Sequence, residues 1–313
     1  MSVLVSGNIA VDMVVAIDET LASYRGVERD SADMAFLAPE IHTSYGGCAA
    51  NISYGLALLG YEASPVAVVG SDFPPYREHL LKLGIDLKHV RVDESVLSAR
   101  CVILSDPAGA QITAFHPGAA AQQAQLSEAA TRGAELAVVA PTFRQAMIDH
   151  VRALTAADIP TLLIPGQVVT EFSGEDLREL IALASYLVVN EEERRVLQQR
   201  TGYTTTEVAD RLQIYVTTNG AAGSVVHAGG RAHPVAAVSV PGGMVDPTGC
   251  GDAYTAGLVS EILEGKRWSA MGQLGSFLAA LNGAVRGTQT YSFSREHYYA
   301  SSGIGCPRQP SIQ

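Results

Sequence analysis

The chain has 313 residues, 47% of them apolar and 17% charged, with 30 Gly and 4 Cys. That composition can bury a sizeable core, fits one large α/β domain or two small ones, and excludes wholesale disorder, a collagen-like repeat and a disulfide scaffold. Lys and Arg total 21 against 32 Asp and Glu, a formal net charge of −11 with no basic tract, which argues against nucleic acid as a main partner and leaves any phosphate to be held locally, by backbone amides, a helix N-terminus or a metal ion.

Met1–Asn8 lacks a basic n-region and reads as a first buried strand, Val3–Ser6, rather than a signal peptide. No run of about 18 apolar residues is present, so no membrane span and no membrane partner is expected. Residues 11–45 mix short apolar and polar runs and read as strands and loops apart from the main sheet. Ala49, Ala50, Ile52, Leu56 and Leu59 then suit a helix ended by Gly60. Pro65–Gly70 reads as a strand and Tyr76–Leu83 as a helix. Residues 98–105 and 110–116 read as two strands about an Asp106-Pro107-Ala108-Gly109 turn, extending the layer of 11–45.

Strands and helices then alternate. The strands are Leu136–Ala140, Thr161–Ile164, Tyr186–Val189 and Ile214–Thr217, with helices Phe143–Ala156, Glu175–Ala184, Glu191–Thr201 and Thr206–Arg211. This alternation predicts a mainly parallel sheet covered on both faces. A hairpin, Gly223–His227 and Arg231–Val235, and two long helices, Cys250–Glu264 and Ser269–Arg286, follow, with the last 15 or so residues expected as a loose tail. Cys48, Cys101, Cys250 and Cys306 show no metal spacing and read as free thiols of a reducing cytosol.

The strongest chemical signal is Asp246-Pro247-Thr248-Gly249-Cys250-Gly251-Asp252 ahead of a long helix. Glycine lets several N–H groups converge, and the helix adds its positive end, an arrangement suited to a phosphoryl group in transfer. Asp252 at its mouth can accept the proton of an attacking hydroxyl. A plain Gly-rich loop with Asp252 as a helix-start residue is the competing reading.

Gly46-Gly47-Cys48-Ala49-Ala50-Asn51 allows a ligand close to the backbone, or is a tight turn with an Asn cap. Gly7-Asn8 and Asp12 end the first strand, where ligands sit in open α/β sheets; an Asx-turn is the alternative. Asn190 and Glu193, one turn apart, order waters around Mg²⁺ in one reading and belong to a solvated helix start in the other. Thr217-Thr218-Asn219-Gly220-Ala221-Ala222-Gly223 is a strand end with a Gly-rich turn of the kind nucleotides use. Among the eight scattered histidines only His116, beside Phe115, draws attention.

Taken together, these motifs resemble the ribokinase-like, or PfkB, family of carbohydrate and nucleoside kinases, in order from Gly7 to about residue 290. Gly46-Gly47…Asn51…Leu59-Gly60 is similar to the family's N-terminal signature and Asp246–Asp252 to its C-terminal one. Asn190…Glu193 matches its NxxE element, and Thr218-Asn219-Gly220…Gly223 its nucleotide loop. Residues 6–12, 71–77 and 110–119, with Gln273-Leu274-Gly275-Ser276 and Gly287-Thr288-Gln289, resemble the bacterial adenosine kinase branch.

The resemblance implies a three-layer α/β/α sandwich with a mainly parallel central sheet and a small β-sheet lid. It implies one kinase domain over 1–313, with lid segments about 11–45 and 98–116 inserted. It further implies ATP-dependent phosphorylation of a nucleoside 5′-hydroxyl, adenosine to AMP first, with a sugar kinase of ribokinase or fructokinase type as the alternative. Carried over, Asp252 is the base and Gly249, Cys250 and Gly251 form the anion hole. Asn8, Asp12, Gly46, Gly47, Asn51, Phe115 and Gln167 bind the nucleoside. Asn190, Thr218, Gly220, Gly223 and Asn282 bind ATP, and Asn190 with Glu193 binds Mg²⁺ through water. A monovalent cation such as K⁺ near Asp246, Ala284 and Gly287 is implied in the same way.

Cys101 stands where an aromatic clamp for the base is expected, which points to a looser nucleoside pocket. A sugar phosphate would require clustered cations near the lid, where only Arg100 stands out. An NAD-dependent oxidoreductase would want GxGxxG after the first strand, and Gly7–Asp12 lacks it. A silent ligand-binding relative is disfavoured by Asp252 and its glycines. An exposed lid edge suits a homodimer, and the expected compartment is the cytoplasm.

Overall fold

The computed structural model describes residues 1–21, 37–107, 111–240 and 242–302. Its centre is β1, Ser2–Ser6, paired in parallel with β4, Glu62–Gly70, on one side and β8, Leu136–Val139, on the other. Side chains along a strand point alternately to opposite faces. Val3 and Val5 therefore join one core and Leu4 another, which is why this strand is apolar at consecutive positions.

Nine strands form the main sheet, in the order β13-β12-β11-β10-β9-β8-β1-β4-β5. Besides those named, they are β5 (Val90–Asp93), β9 (Thr161–Leu163), β10 (Tyr186–Asn190), β11 (Ile214–Thr218), β12 (Ser224–Ala228) and β13 (Arg231–Val235). Every pairing is parallel except β11 with β12 and β12 with β13. Helices α1 (Cys48–Leu58), α8 (Cys250–Leu263) and α9 (Gln273–Gly283) cover the face of Val3 and Val5. The opposite face carries α4 (Arg144–Ala156), α5 (Gly174–Leu183), α6 (Glu191–Thr201) and α7 (Thr205–Ala209). The expected three-layer α/β/α sandwich is thus present. Helix α2 (Pro74–Lys82) packs near β4, α3 spans Glu128–Thr131, and α10 spans Arg295–Ser302.

A second sheet stands apart, in the order β3-β2-β6-β7, made of β2 (Ala10–Ala16), β3 (Glu40–Gly46), β6 (Ala99–Ser105) and β7 (Gln111–His116). It corresponds to the lid expected from 11–45 and 98–116. Residues 22–36 and 108–110 of those segments lie outside the described residues.

Two expectations need correction. The helix expected over Ser269–Arg286 is broken: a 3₁₀ turn, Trp268–Ala270, leads to Gly272 in the left-handed region at φ 84°, and α9 starts only at Gln273. The buried Glu261 carboxylate fixes that start, accepting the amide N–H groups of Gly272 and Leu274 at 2.6 and 2.9 Å. The tail also begins later than expected, because α10 continues to Ser302.

Helix α8 is buried from Ala253 to Glu261 because its neighbours come unusually close. A Cβ on Gly257 would lie 2.5 Å from the amide nitrogen of Gly275 in α9. This contact fixes where the N-terminus of α8 points.

Candidate active site

From β1 the strand order runs one way to β4 and the other way to β8. Such a switch point opens a crevice at the carboxyl ends of the strands. Asn8 lies just past the end of β1, with its Oδ1 accepting from the Thr142 hydroxyl at 3.2 Å. Its carbonyl accepts the amide N–H of Ala49, the second residue of α1, at 3.0 Å.

The chain then rises into the lid through β2 and returns through β3, so Asp12 faces Ser44 and Ala10 faces Gly46 across the pair. Gly46 makes room for the carboxylate: a Cβ there would sit 2.0 Å from Asp12 Oδ2. Gly47 turns the chain into α1 at φ 90°, where a side chain would be strained and would press within 2.5 Å of the Asn8 carbonyl. Asn8, Asp12, Gly46, Gly47 and Asn51 are therefore brought together.

Asp252 occupies the first turn of α8. Gly249 precedes that helix in the left-handed region at φ 78°, and no side chain caps the helix end. Gly251 lies within the first turn rather than before it, and the space over its Cα is open. First-turn N–H groups have no partner further back in the helix; of those around 249–251, the Cys250 amide donates to the Pro247 carbonyl at 3.2 Å.

Asn51 Nδ2 donates to Asp252 Oδ2 at 2.8 Å, joining α1 to α8. Burial pushes the Asp252 carboxyl up to about 6, while hydrogen bonds from Asn51 and the Cys48 thiol pull the other way. Asp12 is pushed up to about 7 by burial and by the charges of Asp252 and Asp246. Both carboxyls are thus raised well above the usual carboxylate range, a perturbation that marks candidate functional sites. Cys48 remains a thiol, its pKa raised by burial and by Asp252. Burial likewise raises the Cys250 thiol.

The lid supplies a row of side chains on one face. Asp12 pairs with Cys101, and Cys101 with Phe115, so the three lie side by side across β2, β6 and β7. The Phe115 ring is 44% exposed. Burial and the Asp12 charge push the Cys101 thiol up to about 11, so it stays uncharged. Arg100 and His116 fall on the opposite face, and Arg100 is held by Asp72 at 2.7 Å.

The remaining candidates line the same carboxyl edge. Gln167 follows β9 in a 3₁₀ turn (Gly166–Thr170), with its side chain exposed. Asn190 ends β10 and Thr218 ends β11. The Gly220–Ala222 turn follows, closed by Gly223 at φ 87° against the Val235 carbonyl. Among the described residues no hydrogen bond ties these groups to the Asp252 cluster.

Asn282 does join that cluster. Its Nδ2 donates to the Thr248 carbonyl at 2.7 Å, while its buried Oδ1 has no partner. An orphaned buried acceptor costs roughly 1–3 kcal/mol until a donor arrives, which fits a place in a ligand site. Cys48, Thr288, Gln289, Tyr76 and His79 had no role on sequence grounds, although several lie in stretches that carried the family resemblance.

Asn190 and Glu193 satisfy one another. Asn190 N donates to Glu193 Oε2 at 2.9 Å, and Glu193 N to Asn190 Oδ1 at 2.8 Å. Among the described residues no group of three metal-ligating side chains is present. This donor set fits a hydrated Mg²⁺ held through water, since Mg²⁺ dehydrates reluctantly. Asp246 accepts from the amides of Thr248 and Gly287 at 3.0 and 3.1 Å, which brings the 246 and 283–287 segments together and offers oxygen donors of the kind a monovalent cation takes.

A model of the pfkB family of carbohydrate kinases matches residues 11–294. The chain belongs to this family. Its members transfer a phosphoryl group to an alcohol acceptor. Among solved structures, the nucleoside kinase of Burkholderia thailandensis in complex with inosine is 34% identical, covering 96% of this chain and 98% of that one, with a TM-score of 0.89. The ligand-free form of that kinase, also 34% identical, covers 95% of this chain and 99% of its own, with a TM-score of 0.79. A nucleoside kinase of Methanocaldococcus jannaschii is 28% identical over 258 residues, 80% of this chain and 83% of its own.

Proposed function

We propose that the protein is an ATP-dependent nucleoside kinase that transfers the γ-phosphate to the 5′-hydroxyl of a purine nucleoside, adenosine first, in purine salvage. The observation that carries this reading is the row Asp12–Cys101–Phe115. Two strand spacings, about 10 Å, separate its ends, the span of a nucleoside. Asp12, with Asn8 and Asn51, grips the ribose hydroxyls, and the exposed Phe115 ring stacks on the base. Gly46 and Gly47 let the sugar approach the backbone. Gln167 at the β9 end borders the same pocket.

Asp252 takes the proton of the 5′-hydroxyl as the oxygen attacks phosphorus. The amides of Gly249, Cys250 and Gly251 receive the charge that develops on the transferring group. ATP lies along the β10–β11 end, against Asn190, Thr218, Gly220, Gly223 and Asn282. Asn190 with Glu193 would order the waters of a Mg²⁺ ion, which would supply positive charge to the phosphates, and Asp246 would offer oxygens to a monovalent cation such as K⁺. Lid closure over the nucleoside excludes water and favours transfer over hydrolysis.

A sugar phosphate is a poor acceptor here, because Arg100 points away from the row and is already paired. The chain acts as one kinase domain over 1–313 with its lid segments inserted, without nucleic acid or membrane as partner, and in the cytoplasm, in keeping with free thiols at Cys48, Cys101 and Cys250. The lid also exposes Ile41, Val102 and Ile112, at 62%, 40% and 57%, which suits a homodimer through that sheet.

The deciding experiment is an ATP·Mg²⁺ assay over a panel of adenosine, inosine, guanosine, cytidine, ribose and fructose. Purine nucleosides converted to 5′-monophosphates, with free sugars left unchanged, is the expected result. Turnover of ribose or fructose alone would make the protein a sugar kinase instead.

A further inference from the structure

Asn51 faces Asp252 with a side-chain amide whose two ends differ chemically, one a donor and one an acceptor. Turned the wrong way, it would set an oxygen against a carboxylate. Something must therefore fix its orientation, and the surrounding bonds identify it.

Asn51 Oδ1 lies 2.9 Å from Gln289 Nε2 and 2.8 Å from the Thr288 hydroxyl. Thr288 has one proton and a second acceptor at the same distance, the Tyr45 carbonyl at 2.8 Å. Gln289 has two N–H groups: one meets Asn51 Oδ1, and the other meets Tyr76 Oη at 2.5 Å. Tyr76 in turn donates to the Gly46 carbonyl at 2.9 Å. The Gln289 Oε1 atom lies 3.1 Å from His79 Nε2, whose proton completes the assignment. Tyr76, Asn51, Thr288 and Gln289 are all buried, and His79 is half-buried toward the surface. Every donor in the chain His79→Gln289→Asn51→Asp252 points toward the catalytic carboxylate.

We infer that Gln289, held by His79 and Tyr76, is a positioning residue that locks the Asn51 amide with its N–H toward Asp252 and so keeps that carboxylate ionised and aimed. This rests on Asp252 being the base. The other groups facing Asp252 are Cys48 on α1, Asp12 on β2, Cys250 at the start of α8, and the Tyr76 and Tyr291 phenols. Burial opposes its ionisation, and its charge in turn raises the Asp12 carboxyl. The Asn51 N–H and the Cys48 thiol are the side-chain bonds that favour it, so the amide's orientation matters to the balance.

The test is Gln289→Met, nearly equal in size but without the donor. Its acid limb in the kcat–pH profile should move up by about one pH unit, a tenfold change in the acid constant, and the loss of kcat should shrink above pH 8. His79→Ala should shift the limb the same way by less, and His79→Gln, which keeps an N–H donor, should restore it. A wild-type acid limb in folded Gln289→Met, or an equal loss of kcat at every pH, would overturn the inference. If Gln289→Met does not fold, the His79 pair decides, and an unshifted His79→Ala overturns it. A ¹³C NMR titration of the Asp252 carboxyl in the ligand-free protein reads the same shift without turnover. An active Asp252→Asn would sink the base assignment and the kinetic role with it, whereas an unmoved NMR titration beside an inactive Asp252→Asn would sink the positioning role alone.

Discussion

The two walls of the cleft are built differently. The α8 wall is thick: its helix is packed between α1 and α9, its proposed anion site is main chain, and its carboxylate is braced by Asn51. The lid wall is a single four-stranded sheet whose cleft-facing row ends in a Phe115 ring 44% exposed. The contrast puts the atoms proposed to handle charge on a densely packed helical wall and the groups proposed to meet the acceptor on a thin, part-exposed sheet. The α8 wall should therefore control rate and the lid wall affinity.

The hardest test of that division is Asp252→Asn, expected to lower kcat about 10³-fold with little change in the nucleoside KM, measured by steady-state kinetics. Equal rates would remove the α8 wall from the chemistry. Gly257→Val forces a branched side chain into a contact already at 2.5 Å from Gly275. It should cost about 3 kcal/mol in urea unfolding and lower kcat in the surviving fold. On the lid, Phe115→Ala should raise the nucleoside KM about tenfold at nearly constant kcat, as loss of a base stack requires; an unchanged KM would refute the stack.

Protonation links the two walls. Asp252 and Asp12 titrate near 6 and 7, and the base works only when ionised, so kcat/KM should rise with pH through 6–7 and level off above. Folding responds in the opposite sense. Asp12, Asp252 and Glu261, the last also pushed up to about 7 by burial, have raised carboxyls. The stability they contribute is fully present below the unfolded carboxylate range near pH 4 and is lost as pH rises through 6–7. Tm of the ligand-free protein should therefore be lower at pH 8 than at pH 5.5, read by calorimetry. The smallest effect is expected far from both walls. Ser173→Ala deletes the α5 capping box and should cost about 1 kcal/mol of stability with kinetics unchanged.

Much of this architecture is legible along the chain because it is local. Alternating apolar runs mark β8 to β11, and Gly46-Gly47 and Gly249 mark the two turns that the backbone could not make otherwise. What stays hidden is tertiary. Strand β5 is a half-exposed edge, Val90–Asp93, without an apolar period to betray it. The break before α9 depends on Glu261, whose carboxylate reaches Gly272 from the far end of another helix. Gln289 meets Tyr76 across a separation of 213 residues, so no spacing rule could assign its role. Cys48 was visible within the Gly46–Asn51 motif, but its bond to Asp252 emerges only when α1 lies against α8.

The anion site proposed above would consist of peptide groups at the start of α8, which no side chain caps. A peptide N–H is present whatever residue occupies the position, proline aside. The side chain at 250 is held separately, its thiol donating to the Ala279 carbonyl of α9 at 3.4 Å. An inhibitor anchored on those amides would leave little for a resistance mutation to delete.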